Sequence, residues 1–101
     1  MYQKKEIHEG LEEMKSVAGA LLVDVRNPSE YAGGHIPGSV NFAMSRILQE
    51  AEEAFPDKSR PMYVYCQSGA RSARAGKLLD LMGYESVTDL GGIASYNGPK
   101  E

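Results

Sequence analysis

Four short apolar runs punctuate the chain at residues 20–25, 39–42, 62–65 and 87–90, and stretches with helical spacing lie between them. Those stretches cover 9–17, 44–55 and 70–82, with a short helix at 29–32. Strands that alternate with helices predict an α/β fold with a central, mainly parallel sheet flanked by helices on both faces. Ala20-Leu21-Leu22-Val23 is nearly continuous in its apolar character, as a strand covered on both sides requires. Tyr63-Val64-Tyr65 has the β-branched and aromatic content of a second buried strand. With 101 residues, no internal repeat and no linker-like tract, residues 1–101 are expected to form one domain.

The last predicted helix is the best defined. Ala75, Leu78, Leu79 and Met82 recur at i, i+3, i+4 and i+7, and Gly83 supplies a stop. Arg71 lies four residues before Ala75 and continues the apolar stripe at the helix entrance, an uncommon place for arginine. Arg71 and Arg74 both fall in the first turn, where cations oppose the helix dipole. Two of them there suggest that something anionic is held, although Arg71 pairing with a carboxylate and Arg74 standing in solvent is the simpler alternative.

The net charge of −3 gives no global reason to expect nucleic acid or an anionic membrane as partner. Locally the balance inverts. Between Asp57 and Asp80 there is no carboxylate, yet the stretch carries Lys58, Arg60, Arg71, Arg74 and Lys77. Cys66, the only cysteine, lies inside that positive window. The first ten residues lack the apolar segment of a secretion signal, and no stretch approaches the roughly 20 apolar residues of a membrane span, so a cytoplasmic address is expected. A single cysteine forms no internal disulfide, and a reduced thiol follows. His8 reads as a surface residue and His35 as part of a turn, so no metal site is expected.

The segment Tyr63-Val64-Tyr65-Cys66-Gln67-Ser68-Gly69-Ala70-Arg71-Ser72 reads as strand, tight loop and helix, with the cysteine at the strand's carboxyl end. Open α/β sheets place their ligands at that end. Ser68, Gly69 and Ala70 are small enough for successive N–H groups to turn inward, making an anion-binding nest at a helix N-terminus. A thiolate at its centre would titrate below the free value of about 8.5. A merely structural cysteine at a strand end needs none of these surroundings. The expectation is therefore a nucleophile.

The segment 66–72 resembles the active-site loop of single-domain rhodaneses. Asp24-Val25-Arg26, Glu30-Tyr31 and Gly34-His35-Ile36-Pro37-Gly38-Ser39 are similar to the family's upstream signature, and Leu90-Gly91-Gly92-Ile93 with Tyr96 and Gly98-Pro99 to its closing one. The resemblance runs from about Leu21 to Pro99 and implies a rhodanese-like fold with Cys66 at the base of a shallow pocket. It also implies a structural role for His35. Tyr96 stands where many members have tryptophan. Phosphatases of related fold separate cysteine from arginine by five residues and usually have histidine before the nucleophile; here four intervene, and Tyr65 takes that place.

The expected chemistry is transfer of sulfane sulfur, from thiosulfate or another donor to a thiol or cyanide, through a persulfide on Cys66. Gln67, Ser68, Gly69, Ala70, Arg71 and Ser72 form the substrate-binding loop, and no cofactor is needed. Asp24 and Arg26 are expected to tie loops together rather than to touch substrate. Partners are a small anionic donor and a thiol acceptor, with a protein donor or acceptor as an alternative that would make the chain a relay module. A phosphatase or arsenate reductase is the weaker rival. The expected state is a monomer.

Overall fold

A computed structural model describes residues 1–101. Its elements in chain order are β1 (Tyr2–Lys4), α1 (Ile7–Met14), β2 (Leu21–Asp24), α2 (Pro28–Ala32), β3 (Val40–Asn41), α3 (Ile47–Ala54), β4 (Met62–Cys66), α4 (Ala70–Leu81) and β5 (Val87–Gly92), with 3-10 turns at Met44–Arg46 and Ile93–Ser95. The five strands form one sheet in the order β1-β5-β4-β2-β3, and every pairing is parallel.

Strand periodicity divides the core in two. Leu21, Val23 and Val25 with Met62, Val64 and Cys66 face Ile47 and Ala51 of α3 and Ala75 and Leu79 of α4. Leu22, Tyr63, Tyr65 and Leu90 face the other way, toward Ile7 of α1 and toward Ile36 and Ile93. Alternate side chains of one strand thus serve both faces, which is why the central strands read as unbroken apolar runs. Helices cover both sides of the sheet, as the alternation of elements predicts. No helix is long and apolar enough to cross a membrane.

Topology then sets where a ligand can sit. From β2 the chain moves outward to β3, whereas from β4 it moves in the opposite direction to β5. β2 and β4 are neighbours, so the winding reverses between them. In open parallel sheets that reversal leaves a crevice beyond the carboxyl ends of the two strands. Here those ends are Asp24 and Cys66.

Several boundaries differ from the sequence reading. Strand β1 has no apolar run to announce it; Tyr2-Gln3-Lys4 becomes a strand through parallel pairing with Val87, Thr88 and Asp89 of β5. Helix α1 starts at Ile7 because the Glu6 carboxylate accepts the N–H groups of His8 and Glu9, and glutamate is an uncommon cap. The predicted helix at 44–55 divides into a 3-10 turn and α3. The strand expected at 39–42 shortens to Val40–Asn41.

Candidate active site

Strand β4 delivers Cys66 on the face it shares with α4, and the chain then crosses Gln67 and Ser68 before turning into the helix at Gly69. Gly69 has φ of 107°, a conformation that suits glycine and few other residues. This turn aims the start of α4 at the sulfur. The Gly69 N–H donates to Cys66 Sγ at 3.0 Å. The N–H groups of Arg71 and Ser72, at the same helix start, favour a charged sulfur, and the Ser72 hydroxyl lies 3.5 Å from it.

Two opposing influences set the thiol's ionisation. Burial is the largest and pushes the thiol up, because a charged sulfur loses water. The Ser72 hydroxyl and the N–H groups of Ser72, Gly69 and Arg71 favour the thiolate. Together they outweigh burial, and Cys66 titrates below an ordinary cysteine. The neutral thiol donates to the Ser72 hydroxyl at 3.5 Å while that hydroxyl donates to the Gly69 carbonyl at 3.1 Å or the Gly91 carbonyl at 3.3 Å; toward a thiolate the hydroxyl turns to become the donor.

Charged side chains brace the loop from outside. Arg71 makes a two-pronged pair with Glu30, Nη1 to Oε1 at 2.6 Å and Nη2 to Oε2 at 2.9 Å. Glu30 Oε1 also accepts the Asn27 N–H, closing the cap of α2. Arg71, with the Asn27 N–H second, holds the Glu30 carboxyl at about 2. Arg26 is buried against Asp24, at 2.7 Å from Nη2 to Oδ2, and reaches outward to the Gln67 side chain at 3.2 Å and the Gly34 carbonyl at 2.8 Å. One guanidinium therefore joins the end of β2, the turn after α2 and the loop after Cys66.

Strand β5 supplies the remaining wall. Between Val64 and Cys66 its register against β4 slips, so that Cys66 pairs with Gly92. Gly92 then lies so close to the loop that a Cβ there would stand 2.4 Å from the Gln67 carbonyl oxygen and 2.7 Å from Ser68 Cα. Gly91 adopts φ of 79° beside it. The Gly91 N–H donates to the buried Asp89 carboxylate at 2.9 Å, which fixes the bend.

The predicted loop residues assemble at one point but with divided tasks. Gly69, Arg71 and Ser72 face the sulfur, while Gln67, Ser68 and Ala70 form the exposed crest. Cys66 was expected at the base of a shallow pocket; it is 0% exposed, covered by the loop's own main chain and by α4. The adjoining cleft, about 340 Å³, is bounded by Arg26, Glu30, Gly34, Gln67, Ala94 and Lys100 among others, and opens beside the loop. Arg71 pairs with a carboxylate, whereas Arg74 is exposed and makes no ion pair. His35 stacks on Tyr31 at 3.7 Å and hydrogen-bonds the Tyr31 carbonyl through Nδ1, holding the turn. Glu30 was missed as the partner of Arg71, since 41 residues separate them and only the closed sheet brings them together.

Residues 4–98 match the family model described as the rhodanese-like domain. The Bacillus subtilis protein YqhL is 41% identical over 80 residues, 78% of this chain and 62% of that protein. The Escherichia coli thiosulfate sulfurtransferase PspE is 35% identical over 78 residues, covering 77% of this chain and 75% of the relative. Among solved structures, a rhodanese with anions from E. coli superposes with a TM-score of 0.73 at 33% identity, over 81% of this chain and 96% of the other.

Proposed function

Because the chain belongs to the rhodanese-like domain family, we propose that it is a thiosulfate sulfurtransferase whose Cys66 carries sulfur as a persulfide. The observation that carries this reading is the sulfur atom at the start of α4, hydrogen-bonded by the Gly69 N–H at 3.0 Å, with the N–H groups of Arg71 and Ser72 also favouring its negative charge. These donors stabilise negative charge at a fixed point without reorganising, as an oxyanion hole does.

Two displacements complete the cycle. The Cys66 thiolate attacks the outer sulfur of thiosulfate, the S–S bond of the donor breaks, and sulfite leaves with the electron pair. An acceptor thiolate or cyanide then attacks the outer sulfur of the persulfide, and Cys66 leaves as thiolate. The charge stays on sulfur throughout, so no proton has to be moved by a base. Cys66 has no exposed surface, so the surrounding residues must shift for the donor's sulfur to arrive. The same reading takes residues 1–101 as one catalytic unit, monomeric and cytoplasmic, with a small anionic donor and a thiol acceptor as partners.

Intact-protein mass after exposure to thiosulfate tests the chemistry. The wild-type chain gains one sulfur, and Cys66→Ser gains none, loses transfer to cyanide and keeps its circular dichroism. Aryl phosphate hydrolysis without any sulfur adduct would instead assign a phosphatase. A very high KM for thiosulfate together with fast transfer from a protein persulfide would make the chain a relay module.

A further inference from the structure

The cleft beside the loop has an unbalanced charge. Of its three charged lining residues, Arg26 is neutralised by Asp24 and Glu30 by Arg71. Lys100 also lines the cleft and has no carboxylate partner. Among the side chains that line the cleft, this leaves one positive charge without an ion-pair partner, and the same lining includes Gln67, the residue next to the sulfur carrier.

Lys100 is held there by main chain. His35 and Glu101 exchange two backbone hydrogen bonds, His35 N–H to the Glu101 carbonyl at 3.1 Å and Glu101 N–H to the His35 carbonyl at 2.8 Å. This is the hydrogen-bonded pair of an antiparallel ladder, formed outside the five-stranded sheet. Its other half is rigid, because His35 is stacked on Tyr31 and Arg26 donates to the Gly34 carbonyl. Gly34, with φ of 141°, leaves its outer side bare, and a Cβ there would stand 3.9 Å from Lys100 Cδ. The lysine stem passes that bare turn, and the exposed side chain lines the cleft.

We infer that Lys100 is a specificity-determining residue that draws the anionic end of the sulfur donor into the cleft beside Cys66. The inference rests on the sulfurtransferase reading and concerns the donor half of the cycle alone. In a double displacement, kcat/KM for each substrate reports only its own half, so donor and acceptor effects separate.

The test uses the full chain with Lys100→Arg, Lys100→Gln and Lys100→Glu, thiosulfate as donor, and 2-mercaptoethanol as an acceptor with no charge beyond its reacting sulfur. An exposed charge contact is worth little, so kcat/KM for thiosulfate should fall roughly two- to fivefold in Lys100→Gln and roughly tenfold in Lys100→Glu. Lys100→Arg should hold it, and added salt should shrink the differences. The acceptor's kcat/KM should stay level. Glu101→Pro, which removes the N–H that binds His35, should reproduce the Lys100→Gln loss. A flat thiosulfate series in a wild-type chain that loads sulfur overturns the role of Lys100 and leaves the sulfurtransferase reading intact. So does an equal loss for donor and acceptor, or a charge effect that appears only with mercaptoacetate, an anionic acceptor. A wild-type chain that takes no sulfur from thiosulfate overturns both.

Discussion

Ser72 illustrates how little separates a reactive sulfur from an inert one. Cys66 is buried, which by itself favours the neutral thiol, and a short set of donors reverses the preference. Ser72 contributes both its hydroxyl and its N–H to that set. Ser72→Ala removes the hydroxyl and should raise the pH at which the thiolate forms, seen as an upward shift in its ultraviolet titration and slower sulfur loading at neutral pH. Glu30 makes the corresponding case for stability. Its carboxyl is held at about 2 against an ordinary 4.5, so its pairing with Arg71 contributes fully above about pH 4.5 and is lost as pH falls toward 2. Both side chains are about one-third exposed, at 34% and 30%, so screening limits the pair to roughly 0.5–1 kcal/mol. Glu30→Gln should have a lower urea midpoint than wild type at pH 7, with the gap narrowing below about pH 4.5 and closing only as pH falls to about 2. A constant gap across that range would show that the ion pair is not what the substitution removes.

Among the elements, β5 and α3 are held by contacts that a single atom would upset. Gly92 has φ of −108°, which any residue adopts, so the cost of a side chain there comes entirely from the loop it would strike. Both nearest atoms are main chain and cannot swing away. Gly92→Ala should displace the loop after Cys66 by a fraction of an ångström and slow sulfur loading roughly tenfold or more, because misplaced reacting groups lose rate steeply. Unchanged loading would mean that the loop tolerates the shift. Helix α3 depends on Tyr84, whose buried hydroxyl is within hydrogen-bond distance of the carbonyls of Ala51 at 3.0 Å and Phe55 at 2.7 Å. Tyr84→Phe leaves these carbonyls at the end of α3 short of a donor and should cost about 1–2 kcal/mol in chemical denaturation.

At the level of the whole molecule, the two halves of the core are not independent. β2 and β4 give alternate side chains to opposite faces, so neither face can lose its packing while the strands stay paired. Denaturation followed by tyrosine fluorescence and by far-ultraviolet circular dichroism should therefore give coincident single transitions. Two separated midpoints would show that the faces melt apart. The same sheet places the site, since the reversal between β2 and β4 opens a crevice at their carboxyl ends and both ends carry charged or nucleophilic residues.

What the residue order determined alone was local: the apolar strand runs, the helix from Ala70, and the loop from Cys66 to Ser72 with its glycine at the turn. These depend on spacing and backbone freedom within a few residues, and neighbours in sequence are enough to specify them. Strand β1, the Arg71–Glu30 pair, the choice of Gln67 and Gly34 as partners of the loop-tying Arg26, the full burial of Cys66 and the approach of Gly92 were decided by the closed sheet. Each joins atoms far apart along the chain, and hydrophobic packing, which is non-directional, leaves their meeting unspecified until the strand order is complete.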